Sequence, residues 1–133
     1  MTQKLPEIDS IQHLIKNTTS RYAENIFLIS KNSQDEIEEM NYAELLNLVN
    51  KFEAYFESVG IHRGEKISVA YHNSAILAIL FLCVTGSGRV FVPLNPNSTI
   101  FEMEYILEDS NSCMLFDGIE ISKGLSQYFH DKM

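Results

Sequence analysis

Few side chains in this sequence combine a residue type and a spacing that could support chemistry. The first candidate is the run Gly86-Ser87-Gly88, because glycine-rich loops can cradle a phosphate with their backbone amides. Such a loop follows a strand and opens a helix. Here the run follows an apolar, helix-like segment and precedes a β-branched one. The polarity is wrong for a phosphate loop, so we predict that Gly86 or Gly88 ends a helix.

His72, Asn73 and Asp117 are candidates because each lies at the end of a predicted strand. Open α/β sheets bind ligands at the carboxyl ends of their strands. This position favours a role in binding for His72 with Asn73, and an acid role for Asp117. A lone loop histidine usually has no such role, and a turn residue before Gly118 explains Asp117 as well or better.

Nucleophiles and metal ligands are not indicated by any spacing in the chain. Ser74 and Ser87 lack a paired base in sequence, and neither a G-x-S-x-G nor a G-x-x-x-x-G-K-[ST] motif occurs. Four scattered histidines and two distant cysteines give no metal-ligand spacing. Cys83 and Cys113 lie in apolar segments, so we predict two buried free thiols and, by default, a cytoplasmic location. The residues alone therefore predict no catalytic, cofactor-binding or metal-binding side chain.

Length and charge limit the classes of function. The 133 residues fit one domain, residues 1–133, and carry 18 acidic against 10 basic side chains, for a net charge of −8. No cluster of lysine and arginine is present, which argues against a nucleic-acid partner and against an anionic membrane surface. The N-terminal sequence lacks the basic and apolar regions of a signal peptide.

The predicted fold is centred on the stretch from Lys66 to Leu94. Two β-branched strands flank Ala75–Val84, a run without a polar side chain. A helix that is apolar all round must be buried on all sides, and this run is too short to cross a bilayer. Strand, helix and strand form one βαβ unit, whose crossover makes the strands parallel.

The remaining segments extend this pattern. Capping boxes are predicted at Asn41/Glu44 and Thr99/Glu102, and helix ends at Gly60 and Asn111. A helix to about Arg21 and a hairpin come first, followed by helix and strand in alternation, which implies an α/β fold with a parallel sheet flanked by helices. The predicted segments are a helix at 8–21, strands at 25–30, 36–40, 66–71, 89–94 and 113–116, helices at 41–59, 75–84 and 100–110, and a further helical turn at 125–129.

Five stretches, in order, resemble motifs of the adenylate-forming superfamily, which includes acyl-CoA synthetases, peptide-synthetase adenylation domains and luciferases. Tyr105–Ser110 repeats the family's Y-I-L-E-D-S almost letter for letter. The others are Met40–Leu45 for L-T-Y-x-E-L, Gly60–Ala70 for G-V-x-x-G-D-x-V-A-I, Asn73-Ser74 for N-S, and Ser87–Pro96 for A-G-A-V-Y-V-P-L-D-P. This chain departs from the family at Gly86 for Lys, Arg89 for a small residue and Asn95 for Asp.

The resemblance implies an enzyme that activates a carboxylate with ATP and Mg²⁺, releases pyrophosphate and passes the acyl group to a thiol. The family's ATP-binding loop, rich in Ser, Thr and Gly and ending in Pro-Lys, lies downstream, and none of its later motifs occurs in this sequence. We therefore expect a partial N-terminal subdomain that is not catalytically competent alone. The matching motifs are mainly structural in the family, so no catalytic residue carries over.

Two hypotheses of function follow. In the first, the chain is the N-terminal portion of an AMP-forming carboxylate ligase, whose partner is the remainder of that ligase. In the second, it is a stand-alone, non-catalytic module that binds a partner or a second copy of itself. A sheet taken from a larger domain leaves apolar surface or an open edge, which self-association can cover.

Overall fold

The computed structural model describes residues 7–31 and 34–117, and the predicted helical turn at 125–129 lies outside them. Four helices and five strands occupy these ranges, and within them no helix has the length and apolar character needed to cross a membrane. In chain order the elements are α1 (Ile11–Tyr22), β1 (Ile26–Lys31), β2 (Ile37–Asn41), α2 (Tyr42–Ser58), β3 (Lys66–Ala70), α3 (Ala75–Gly86), β4 (Val90–Pro93), α4 (Ile100–Ser110) and β5 (Met114–Asp117).

The main sheet is parallel and has β3 at its centre, in the order β4-β3-β5. The chain therefore moves to one side from β3 to β4 and back across β3 to reach β5. Right-handed crossovers in opposite directions require α3 and α4 to lie on opposite faces. The core agrees, since Ile67 packs with Phe56 and Val84 on one face, while Ala70 packs with Met103 on the other.

The face of Ile67 is covered by a layer of three helices, α1, α2 and α3, which contact one another. Ile15, Val49 and Cys83 are buried where the three helices meet. Gly86 permits this close approach, because a Cβ at that position would lie 2.9 Å from Ile15 Cδ1 and 3.3 Å from Val49 Cγ1. The antiparallel β1–β2 hairpin joins α1 to α2, and its Glu38 and Glu39 are exposed, as expected for a solvated edge.

The predicted helix ends are confirmed, and the structure decides between the two glycines after α3. Gly88 adopts φ +81° and the Arg89 amide donates to the Val84 carbonyl over 3.0 Å, whereas Gly86 is still helical. The same motif ends α2, where Gly60 has φ +78° and the Ile61 amide donates to the Phe56 carbonyl over 2.8 Å.

The capping box predicted for α4 forms in full, and of the one predicted for α2 the structure shows the Asn41 half. Thr99 and Glu102 make the full reciprocal box at the start of α4. At the start of α2, the Asn41 side chain accepts a hydrogen bond from the Glu44 amide over 2.8 Å. Asn111, with φ +58°, ends α4 as predicted.

The prediction that α3 is a crossover helix between neighbouring parallel strands is confirmed, but its complete burial is wrong. Leu80, Cys83 and Val84 are buried, while Ile76 is 54% exposed and Phe81 is 42% exposed. Among the described elements, α1, α2, β1, β3 and β4 contact α3, and they leave the sides of Ile76 and Phe81 uncovered. A helix that is apolar on every side is therefore expected to be buried, but the described residues bury only part of this one.

Candidate functional site

The loops at the carboxyl ends of β3 and β4 form the candidate site. The β3–α3 loop leads to one face of the sheet and the β4–α4 loop to the other, so the two loops diverge at this edge of the sheet. In open α/β sheets, ligands bind at such a switch point. His72 and Asn73 lie in the first loop, Asn95 begins the second, and Asp117 ends β5 beside Ala70 of β3.

Polar groups in the first loop mainly build the start of α3. Ser74 caps the helix, since its Oγ accepts from the Leu77 amide over 3.3 Å and donates to the His72 carbonyl over 3.0 Å. His72 and Asn73 are exposed. Ser74 is thus a helix cap, and no catalytic base accompanies it among its hydrogen-bond partners.

The second loop is built in the same way. The Asn95 side chain accepts from the Asn97 amide over 2.9 Å, which forms a local turn. Glu102 then accepts from the Thr99 amide over 3.0 Å in the capping box of α4. Asn95, where the family has Asp, therefore stabilises a turn. An aspartate at this position could accept the same hydrogen bond.

Asp117 lies on the other side of β3 from the second loop and is half-buried. The structure thus brings the three predicted site residues to one edge of the sheet, with His72 and Asn73 after β3 and Asp117 at the end of the neighbouring strand β5. Among the described residues there is no group of three or more His, Cys, Asp or Glu side chains that could hold a metal ion.

The glycine run lies at the opposite, amino-terminal edge of the sheet, as its sequence polarity predicts. Ser87 is buried, and its Oγ donates to the Val84 carbonyl over 3.0 Å. A Cβ on Gly88 would lie 2.5 Å from Arg63 Nη1. The run is a helix end packed under an arginine side chain.

Arg89 is the main feature of the amino edge, and its side chain is fully buried. Its Nη1 donates to the Ser87 carbonyl over 2.7 Å, and its Nη2 donates to Glu57 Oε1 over 2.8 Å and to the Ile61 carbonyl. The guanidinium carbon lies 5.6 Å from the centroid of the Phe56 ring, which adds a cation–π contact. Arg89 therefore ties the start of β4 to the end of α2.

A second arginine extends this network across the surface. Arg63 forms an ion pair with Glu53 and donates to Gln12 Oε1 over 3.0 Å, while Gln12 Nε2 donates to Glu53 Oε2 over 3.4 Å. Arg89 Nη1 lies 3.8 Å from Glu53 Oε1. In the sequence, Arg89 stands out only as a departure from the family, although a charged residue at the start of an apolar strand signals a buried partner.

Three serine hydroxyls connect the sheet to the end of α4. Ser68 is buried in the centre of β3, and its Oγ lies 2.6 Å from Ser112 Oγ. Ser112 Oγ in turn lies 2.8 Å from Ser110 Oγ. Ser110 is the last residue of the stretch that resembles Y-I-L-E-D-S, so this motif residue has a structural role here.

Both cysteines are free, but only one is buried as predicted. Burial raises the pKa of the Cys83 thiol to about 12. Cys113 is exposed because it comes immediately before β5, at an edge of the sheet. Partial desolvation and the neighbouring Glu65 carboxylate also raise the pKa of Cys113, so neither thiol is activated as a nucleophile.

Comparison with known proteins agrees with this architecture. Residues 15–128 match the family described as AMP-binding enzyme. The chain is 33% identical over 70 residues, 53% of its length, to N-benzoylphenylalaninol synthetase apmA of Penicillium brevicompactum, of which it covers 3%. It is 27% identical over 94 residues, 71% of its length, to a crotonobetaine/carnitine–CoA ligase of Shigella flexneri, of which it covers 18%.

Solved structures share the fold. The N-terminal domain of FACL13 from Mycobacterium tuberculosis superposes with a TM-score of 0.72 at 23% identity, covering 90% of this chain and 29% of that domain. The anthranilate CoA ligase AuaEII gives a TM-score of 0.76 at 20% identity, covering 96% of this chain and 24% of the ligase. The chain therefore spans less than a third of the relatives that it matches. It is an N-terminal segment that belongs to the AMP-binding enzyme family.

Proposed function

We propose that the chain is the N-terminal portion of an ATP-dependent, AMP-forming carboxylate ligase, which makes an acyl or aminoacyl adenylate and then a thioester. The family match over residues 15–128 supports this proposal, as do relatives named as synthetases and CoA ligases. ATP and Mg²⁺ would be held by parts of the ligase outside this segment. The free cysteines fit a cytoplasmic location.

We further propose that this segment does not adenylate a substrate alone. Adenylation needs positive groups that stabilise the charge on the reacting phosphates. The loops at the carboxyl edge, residues 71–74 and 94–99, contain no lysine or arginine, and Asp117 at the end of β5 adds an acidic side chain. Arg63 and Arg89 lie at the amino edge, where carboxylates and carbonyls already hold them. This distribution of charge is the observation that carries the proposal.

An ATP–pyrophosphate exchange assay tests this proposal. The isolated chain is offered a panel of carboxylic and amino acids, with a complete carboxylate–CoA ligase as the positive control. We expect no exchange above the rate without protein. Clear exchange by the isolated chain overturns the proposal, because phosphate stabilisation would then come from groups within these residues.

A second candidate function is a non-catalytic module that self-associates or binds a partner. Exposed apolar side chains on α3, β4 and α4 favour it, in particular Ile76, Phe81, Val90, Phe101 and Tyr105. Apolar surface of this kind is typical of an interface. Light scattering at micromolar concentration tests this function: a dimer or larger species supports it, and a monomer counts against it.

A further inference from the structure

The β1–β2 hairpin has two edges that differ in charge. Among the described residues the two strands form a sheet of their own, so each strand has one edge without a strand partner. β1 contains no charged side chain from Ile26 to Ser30, whereas β2 carries Glu38 and Glu39. An open strand edge can accept a further strand, and charged side chains discourage such pairing. The edge of β1 is therefore better suited to strand addition than the edge of β2.

The edge of β1 is also the longest among the strands that the structure describes, with six residues. β4 has four residues and includes Pro93, and a proline without an N–H is typical of an edge protected against pairing. β5 has four residues as well and ends in Asp117. β1 thus offers the longest edge and one that neither proline nor acidic side chains protect.

β1 is anchored in the core at its start and leaves the core further along. Phe27 packs in the cluster where α1, α2 and α3 meet, whereas Ile29 is 64% exposed. Ile29 lies opposite Glu39, and Lys31 lies opposite Ile37, which is 68% exposed. Directly paired residues share a face, as do residues two positions apart, so these four side chains lie on one face of the hairpin. Burial of Ile29 against an apolar neighbour would stabilise a complex.

The net charge of −8 limits how two copies of the chain can approach. If β1 pairs with β1 of a second copy, the two β2 strands become the outer strands of a four-stranded sheet. The two β2 strands then lie three strand spacings apart, about 14 Å, which exceeds the screening length of about 8 Å at physiological salt. Pairing through β2 instead would place Glu38 and Glu39 on adjacent strands of the two copies, where like charges destabilise the pairing. Charge therefore favours a contact through β1.

Twofold symmetry makes the edge of β1 complementary to itself. Two copies of one strand that are related by a twofold axis run antiparallel, and each presents the same groups to the other. When the axis passes beside Ile29, the Ile29 side chains of the two copies are neighbours, with Cβ atoms about 5 Å apart. Leu28 of each copy then lies opposite Ser30 of the other. These central positions carry no charge, and the contact closes at two copies because both β1 edges are used.

We propose that two copies of the chain associate by antiparallel pairing of their β1 strands, centred on Ile29, to form a four-stranded sheet. The proposal rests on the second candidate function above. It assigns the contact to the edge of β1, because a strand edge supplies main-chain hydrogen bonds that exposed apolar side chains do not. The pairing requires neither ATP nor a further part of a ligase.

Disulfide cross-linking in the full 133-residue chain tests this contact. In a background with Cys113→Ser, which removes the exposed thiol, one variant carries Ile29→Cys and the matched control carries Ile37→Cys. The two isoleucines share a face of the hairpin and are similarly exposed. In the proposed dimer the two residues at position 29 are neighbours, whereas those at position 37 are at least about 14 Å apart, out of reach of a disulfide. Under mild oxidation at micromolar concentration, we expect several-fold more disulfide-linked dimer from Ile29→Cys.

A second experiment introduces no thiol. Ile29→Glu places two like charges side by side at the centre of the contact, whereas Ile37→Glu adds the same charge to the outer strand. Light scattering over a range of concentrations should show a dimer for the unaltered chain and for Ile37→Glu. We expect Ile29→Glu to raise the dissociation constant of the dimer by about tenfold or more, because it also removes the contact between the two isoleucines.

The contrary outcomes have different consequences. A monomer at every concentration overturns both the pairing of β1 and the second candidate function, while the ligase proposal still depends on its own exchange assay. A dimer that the two glutamate variants weaken equally, or equal cross-linking of the two cysteine variants, places self-association on another surface and overturns the pairing of β1 alone. A species larger than a dimer also contradicts this pairing, because it closes at two copies.

Discussion

The two edges of the parallel sheet differ in how their polar groups are used. At the amino edge, Arg89, Glu57, Glu53 and Arg63 connect residues that are far apart in sequence, and Arg89 is fully buried. At the carboxyl edge, the side chains bond within their own loops, as Ser74 does with residues 72 and 77. One edge is held by long-range contacts, and the other presents short, self-contained loops.

This difference indicates which edge of the sheet is available to bind a ligand. A buried arginine costs free energy to desolvate, and that cost is offset only while its partners stay in place. The amino edge is therefore fixed, and its charges are occupied. At the carboxyl edge, the side chains of the two loops after β3 and β4 bond within those loops. This segment supplies support at one edge and an open surface at the other.

The strongest test of the comparison is Arg89→Ala. It removes the donor for two carbonyls and the partner of Glu57, and it leaves a cavity over Phe56. We expect a loss of about 3 kcal/mol in the free energy of unfolding, at the lower end for a broken buried pair because Glu57 keeps contact with water. Urea denaturation measures this loss. A change below about 1 kcal/mol would show that the amino edge is not held by this arginine.

A second test compares two glycines at the amino edge. Gly60 and Gly88 both have positive φ, but a Cβ meets no atom within 4 Å at Gly60, whereas at Gly88 it meets Arg63. We expect Gly60→Ala to cost about 1 kcal/mol from backbone strain alone. Gly88→Ala should cost about 2 kcal/mol, because Arg63 must also leave its partners. Equal losses in urea denaturation would mean that the Arg63 contact contributes no stability.

These variants also show which features the sequence could predict. The ends of α2 and α4 and the cap at Thr99 depend on residues within one turn of the helix, so local pattern predicts them, whereas for the end of α3 it leaves Gly86 and Gly88 as alternatives. The Arg89 network, with Arg63 and Gln12, joins residues up to 51 positions apart, and no local pattern identifies such partners. The sequence could signal the need for a partner, but only the fold supplies Glu57.

Burial was harder to predict than element type. Cys113 was expected to be buried because its neighbours are apolar, but its exposure depends on β5 being at the edge of the described sheet. Ile76 and Phe81 were expected inside for the same reason. An apolar residue type indicates that burial of the side chain is favourable. Whether the side chain is buried depends on which neighbouring elements pack against it.

At the carboxyl edge, the largest expected effect is that of Thr99→Ala. The threonine side chain accepts from the Glu102 amide over 3.2 Å, and its loss leaves the start of α4 uncapped. We expect a loss of about 1 kcal/mol. Hydrogen exchange should become faster in the first turn of α4, with amides near Arg89 less affected. Equal acceleration at both edges would show that the two are energetically coupled and not separate.

The smallest effect is expected from His72→Ala, also at the carboxyl edge. His72 is exposed, and only its backbone carbonyl is used, by Ser74. We expect the free energy of unfolding to change by less than about 0.5 kcal/mol, because an exposed side chain without a capping role contributes little. Urea denaturation of His72→Ala and Arg89→Ala in parallel compares the two losses in the free energy of unfolding. A loss near 2 kcal/mol would contradict it, because the carboxyl edge would then depend on side-chain contacts as the amino edge does.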